Sequence, residues 1–213
     1  MTTKLEEQSA QAGLNVSREK TKVMGIIQRP SSQPIADAQG NIEYVERFTY
    51  LGSVISGDGE VEADINTRLA KAAADFRRLD NMWRSSTLSL KIKQDLYTSL
   101  IIFTAIYASE SWKSTARIRQ QLDVFHQRNL RKILGIMWKD HVTNMEVLSW
   151  TGQRRLQAIV AERRLRMAGH IIRMPPGRPA NHTMSWTPRG SGRQQGRPTK
   201  TWRSTFNEDL VDR

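Results

Sequence analysis

The sequence contains no cysteine. That absence removes disulfides, thiolate zinc sites and cysteine nucleophiles together, and it accords with an intracellular chain, in cytoplasm or nucleus. Long apolar runs are also missing. The most apolar stretch, LIIFTAIYA from Leu100 to Ala108, has nine residues, whereas a membrane-spanning helix needs about 20. The expectation is therefore a soluble chain with no membrane partner. The opening residues, MTTKLEEQSAQAG, are polar and include acids, unlike a secretory leader. A third absence is local: from Arg163 to Asn207 there are ten Arg and Lys and not one Asp or Glu. Folded surfaces usually interleave both signs, so a one-sign stretch of this length is an electrostatic footprint.

What is present fits that footprint. The 213 residues carry a net charge of +12, and 13 basic against 4 acidic residues fall between Thr151 and Arg213. The expected polyanion is nucleic acid, with an anionic membrane surface second. With 38% hydrophobic residues the chain has enough apolar surface for one substantial domain or two small ones.

Periodicity then assigns elements. Thr3 to Ala12 is a short polar helix closed by Gly13. Leu14–Val16 and Val23–Ile27 read as short strands around a basic turn, and residues 29–39 as a loop with two prolines. Asn41 to Ser56 shows imperfect alternation, as in a strand pair or a long bent strand. After Gly57-Asp58-Gly59 the period changes to about 3.6. Helices follow at Glu60–Trp83, Lys91–Tyr107 (apolar nearly all round in its second half, hence buried) and Arg117–Leu134. A further short helix opens with the capping box Thr143-Asn-Met-Glu146, and another spans Arg154–Met174. From Pro175 the chain is Pro-, Gly- and Arg-rich and is expected to be extended or ordered only by a partner, with a last short helix at Thr201–Val211. The fold class is thus α+β, mostly α, in four parts: 1–59, 60–150, 151–174 and 175–213.

No catalytic constellation emerges. The acids are scattered, and the densest group (Asp58, Glu60, Glu62, Asp64) sits where carboxylates favour a helix start. The four histidines lie at least 12 residues apart and read as structural or solvated, not as ligands. No phosphate-cradling glycine loop or nucleophile elbow occurs. Binding chemistry is better represented. Lys20 and Lys22 lie at a turn edge, either meeting phosphates or lining a solvated hairpin. Arg155, Arg163, Arg164 and Arg166 accompany a helix whose other face is apolar. In the tail, Trp186 and Trp202 alternate with Arg189, Arg193, Arg197 and Lys200; guanidinium forks hold phosphates and indoles stack on unpaired bases.

The order of segments adds a resemblance. GLNVSREKTKVM (Gly13–Met24), FTYLGSVIS before Asp58-Gly59, DI-x-x-RLAKA (Asp64–Ala72), IYASESW (Ile106–Trp112), FHQRNLRKILGIMWKDHVTN (Phe125–Asn144), RRLRMAGHIIRM (Arg163–Met174) and GRPTKTWR (Gly196–Arg203) resemble, in order, the region after the catalytic motif in reverse transcriptases of non-LTR (LINE-type) retrotransposons. Each piece alone is weak; their order across nearly the whole chain is specific. The resemblance implies a residual palm of short antiparallel strands, a helical thumb-like bundle and a basic tail. It places Lys20 and Lys22 near the incoming nucleotide and makes Phe48, Tyr50, Leu51, Gly52 and Ser53 a primer-grip hairpin. Template–primer RNA and DNA are the implied partners. The family's aromatic-Ala-Asp-Asp hairpin does not occur in this sequence, and a Cys/His knuckle is excluded. The expectation is a fragment of an RNA-directed DNA polymerase, inactive alone and without a cofactor of its own, Mg2+ being implied only for the complete polymerase. Residues 1–56 are then expected to pack poorly by themselves. The alternative is a non-enzymatic basic RNA- or DNA-binding protein.

Overall fold

The computed structural model describes residues 2–25, 36–37, 40–185 and 200–211. The architecture is α+β and mostly α, and it divides into two compact units, Met1–Thr67 and Arg68–Arg213. The division falls inside a helix, not at the Gly57–Gly59 turn where the sequence placed the first boundary.

In the first unit, α1 (Thr2–Gln11) ends at Gly13 with φ +73°, as expected of a glycine stop. The strands expected at Leu14–Val16 and from Val23 do not form. Leu14 and Val16 are exposed, and Val23 makes only an isolated parallel bridge to Tyr44. Ile26, Ile27 and the loop 29–35 lie outside the described residues. Short strands need a partner to satisfy their ladder groups, and the described residues form two small pairs: β1 (Ala36–Asp37) with β2 (Gly40–Asn41), and β3 (Arg47–Tyr50) with β4 (Ser53–Ser56).

The β3–β4 hairpin pairs Tyr50 with Ser53, leaving a two-residue loop of Leu51 and Gly52. Both have positive φ, 48° and 82°, the signature of the type I′ turn whose twist matches a hairpin. After β4 the chain turns at Gly57, where a Cβ would come within 2.5 Å of the Gly25 carbonyl oxygen, so only glycine allows this backbone approach. Asp58 then builds an Asx turn: its Oδ1 accepts from the Ser56 hydroxyl and from Glu60 N. The Ser56 hydroxyl first, and the Glu60 N–H second, hold its carboxyl below the usual carboxylate range. Asp64 accepts from Val54 N at 2.8 Å and so ties helix to hairpin. These partners make Asp58 and Asp64 structural. Among the described residues the buried apolar side chains of this unit are Ile42 and Ile65 alone.

The helix that crosses into the second unit, α2 (Glu62–Arg78), is followed by α3 (Asp80–Arg84). The expected continuous helix to Trp83 breaks at Leu79, where the Phe76 carbonyl accepts from Leu79 N at 3.3 Å and from the Trp83 indole N–H at 2.7 Å. α4 (Leu90–Leu96) runs through a π-helical turn, Tyr97–Ile102, into α5 (Phe103–Ala105). The extra residue per turn resets the face, so Tyr97, Ile101, Ile102, Ala105 and Ile106 all point inward while Leu100, Phe103 and Tyr107 stay exposed. The helix is thus not buried all round, as its composition had suggested. α6 (Ala116–Leu134) stops at Gly135, α7 (Asn144–Thr151) opens with the Thr143–Glu146 capping box, and α8 (Leu156–Ile172), α9 (Pro179–Ser185) and α10 (Trp202–Val211) complete the unit. The helix α9 was not anticipated, because the Pro/Gly/Arg composition masked it. Among the described residues no helix is long and apolar enough to cross a membrane.

The core of this unit is aromatic and polar at its centre. Phe76 stacks on Trp83 at 4.9 Å and meets Tyr97 edge-on. Tyr97 Oη lies 3.0 Å from His126 Nδ1, and His126 is wholly buried. Its Nε2 has no hydrogen-bond partner among the described residues, and which of Tyr97 and His126 donates follows from the imidazole tautomer. Burial, more than any other influence, pushes the His126 pKa down from 6.5 to about 4, and burial likewise raises that of Tyr97.

A histidine kept neutral stabilises the fold above its unfolded pKa, and that stability is lost as pH falls from about 6.5 toward about 4. Between pH 7 and 5.5, above the carboxylate range, His126 should cost about 1 kcal/mol, a few degrees in thermal midpoint. Melting curves at the two pH values test this; an unchanged midpoint would refute a buried neutral imidazole.

Candidate nucleic-acid interface

The residues singled out from sequence fall into three places. In the first unit, Lys20 is exposed, and Lys22 is ion-paired with Glu43. The hairpin residues Phe48, Tyr50, Leu51, Gly52 and Ser53 form one continuous feature, because β3, the type I′ turn and β4 contain all of them. Its tip is apolar and open: Tyr50 is 58% and Leu51 75% exposed. Phe48 is half-buried across from Ile55.

The second place is α8, and here the helix separates its arginines. Arg163, Arg164 and Arg166 point in different directions at about 100° per residue. Arg164 is 1% exposed; its Nε donates to the Trp112 carbonyl at 3.1 Å and its guanidinium is ion-paired with Asp209. A side chain so enclosed offers no face to a phosphate, which removes Arg164 from the surface set read from the sequence. Arg163 is partly committed as well: Nη1 donates to the Ile106 carbonyl at 3.0 Å, and the guanidinium lies 6.0 Å from the Phe103 ring centroid. Arg166 reaches solvent, paired to Glu162 one turn back, and Arg154 bonds the same carboxylate at 2.8 Å. Arg155, exposed at the start of α8, touches the Met145 sulfur at 3.4 Å. The outward cations here are therefore Arg154, Arg155 and Arg166, the first and last sharing Glu162.

The third place is the tail. Trp186, Arg189, Arg193 and Arg197 lie outside the described residues. Trp202 and Lys200 do not alternate along a free strand: Trp202 opens the docked helix α10 and Lys200 lies two residues before it. Trp202 Nε1 donates to the Glu110 carbonyl at 2.8 Å, and its ring stacks on Phe206 at 5.6 Å. Lys200 pairs with Glu208, holding that carboxyl below its usual range. Thr205, 1% exposed, accepts from Ser114 N at 3.0 Å. Trp202, Thr205 and Asp209 are spaced i, i+3, i+7, so one face of α10 makes all three contacts. A cleft of about 860 Å3 between α6, α8 and α10 is lined by charges of both signs, including Arg119, Arg154, Glu162 and Asp209, unlike a polyanion groove.

The sequence reading missed the structural use of Asp209. The signal was there: Glu208 and Asp209 are the first acids after a 45-residue interval with none, Arg163 to Asn207, and a lone acid in a basic stretch is a candidate partner for an inward arginine. It also passed over the cations of α6. Among the described residues no three of His, Asp and Glu come together to hold a metal ion.

No protein-family model matches the chain, and no solved structure matches it. An uncharacterized transposon-derived protein of Caenorhabditis elegans is 25% identical over 224 residues, spanning all of this chain and 78% of that protein. This distant likeness points to an origin in a transposable element.

The packing generates a stability prediction. Asp209→Ala leaves the Arg164 guanidinium buried and unpaired, and should cost about 3 kcal/mol or more. Arg166→Ala, which removes an exposed pair, should cost under about 1 kcal/mol. Urea midpoints of the two variants test the contrast; equal losses would mean that Arg164 is not held as described.

Proposed function

We propose that this chain is the nucleic-acid-binding part of a reverse transcriptase of a non-LTR retrotransposon, acting inside the cell on a template–primer of RNA and DNA. The observation that carries the reading is the allocation of charge: ten bases and no acid lie between Arg163 and Asn207, and around α8 the fold absorbs Arg164 but leaves Arg154, Arg155 and Arg166 facing solvent, with Glu162 paired to Arg154 and Arg166. The segment order described above and the transposon-derived relative support it. In this reading the β3–β4 hairpin is the primer grip, since an open Tyr50–Leu51 tip suits contact with a sugar–base edge. The helices of the second unit are the thumb. Lys20 and Lys22 lie toward the nucleotide, and Lys22 must exchange its Glu43 partner to meet a phosphate. The stretch containing Trp186, Arg189, Arg193 and Arg197 adds template or target contacts. The sequence has no Asp-Asp pair, so the chain binds without polymerising.

Affinity for an RNA–DNA hybrid, measured against salt, tests this. Several neutralised phosphates should lower affinity by about 100-fold or more between 50 and 200 mM salt. Arg155→Ala combined with Arg166→Ala should reduce the slope of log affinity against log salt by about 2. A salt-insensitive affinity, or nucleotide incorporation by this chain alone, would overturn the proposal.

A further inference from the structure

The longest helix, α6, turns a cationic face to solvent. Ile118, Leu122, His126, Leu130 and Ile133 are buried, whereas Arg117, Val124 and Arg128 are exposed on the opposite side. Beyond Gly135 the chain folds back along this helix. Arg131 holds it there, donating from Nη2 to the Val142 carbonyl at 2.8 Å and to Asn144 Oδ1 at 2.9 Å. Between α6 and the returning segment lies a recess of about 570 Å3, walled by Val124, Gln127, Arg128, Arg131, Lys132 and Ile136 with one carboxylate, Asp123.

Two features of the recess and one beside it are unused by the fold. Arg128 is exposed and has no hydrogen bond or ion pair among the described residues. Gln127 is 5% exposed; its Nε2 donates to the Asn144 carbonyl at 3.4 Å, and its Oε1 is left without a donor. A buried acceptor without a partner is costly and rare in folded proteins. Trp138 is 88% exposed and sits two residues past Ile136, within about 7 Å of it along the chain. Its loop is tied, Met137 N donating to Asp140 Oδ2 at 2.7 Å, and Lys139 and His141 beside it are exposed.

Cations call for an anion, the orphan amide oxygen calls for a hydrogen-bond donor, and an indole presented on a fixed loop calls for a flat π-surface. A nucleotide with an unstacked base combines all three; a duplex does not, because its base faces are covered. We propose that the α6 recess and Trp138 bind an unpaired stretch of nucleic acid. One base stacks on Trp138, flanking phosphates sit on Arg128 and Arg131, and a donor of the neighbouring nucleotide bonds Gln127 Oε1. This rests on the nucleic-acid reading above and narrows it to single strands, at residues apart from the hairpin and from α8.

The test uses the full chain and two fluorescein-labelled probes, a 12-nucleotide oligouridylate and a 12-base-pair RNA duplex, in anisotropy titrations at 50 mM salt. Trp138→Ala should weaken oligouridylate binding about 10-fold and leave the duplex within about twofold. Arg128→Ala should lower the single-strand salt slope by about 1. Both positions are exposed, and unchanged melting midpoints show that the fold persists. Wild-type affinity for oligouridylate that survives Trp138→Ala would leave the indole as a protein-contact surface and overturn the inference, as would an equal loss on both probes. A wild-type chain that binds the duplex and not the oligomer overturns this inference alone; one that binds neither overturns the broader reading too.

Discussion

The second unit depends on one buried charge. Placing the Arg164 guanidinium at 1% exposure carries a desolvation cost of several kcal/mol, and that cost is offset only if its donors find acceptors of good geometry. The Trp112 carbonyl supplies one and Asp209 the other. These acceptors come from sequence positions 52 and 45 residues away, so satisfying a single side chain fixes the end of the α5 region and the docking of α10 against α8. Thr205 and Trp202 then add contacts on the same helical face. The arrangement explains why a helix whose composition is largely polar is ordered at all: its stability is tertiary, not intrinsic.

The same interaction changes how the chain's charge is to be understood. A count of arginines measures how much positive charge the sequence carries, while the fold decides how much reaches a partner. On α8 the helical turn sends neighbouring arginines to different fates: Arg164 inward, Arg163 along the surface against Phe103 and the Ile106 carbonyl, Arg166 out. Along α6 the division is cleaner, with apolar side chains and the Tyr97–His126 pair on one side and Arg128 on the other. The outward charge of the second unit is thereby distributed over two helices and a short loop rather than concentrated in its C-terminal stretch.

Much of the helical architecture was legible because 3.6-residue periodicity and cap residues are local signals. Gly135, the Thr143–Glu146 box and the limits of α6 could be read directly. What escaped was non-local. The break at Leu79 goes with the Trp83 indole bonding the Phe76 carbonyl, and the π-helical turn with facing Tyr97 and Ile102, five residues apart, inward together; neither leaves a mark in composition. The strands expected at Leu14–Val16 failed because β-propensity without a neighbouring strand does not form a ladder. The burial of Arg164 was hidden for a related reason, since its partner lies on an element read as an independent terminal helix. At Phe48–Ser53 alternation left a strand pair and a long bent strand both open, and the left-handed Leu51 gave no signal, because leucine rarely occupies that conformation.

Arg203 donates from Nη2 to the Met184 carbonyl at 2.5 Å and so joins the end of α9 to the start of α10. A helix of seven residues is marginal alone, so α9 gains order from a helix that Arg164 and Asp209 already dock on α8. One buried ion pair thereby supports an element that neither of its partners belongs to.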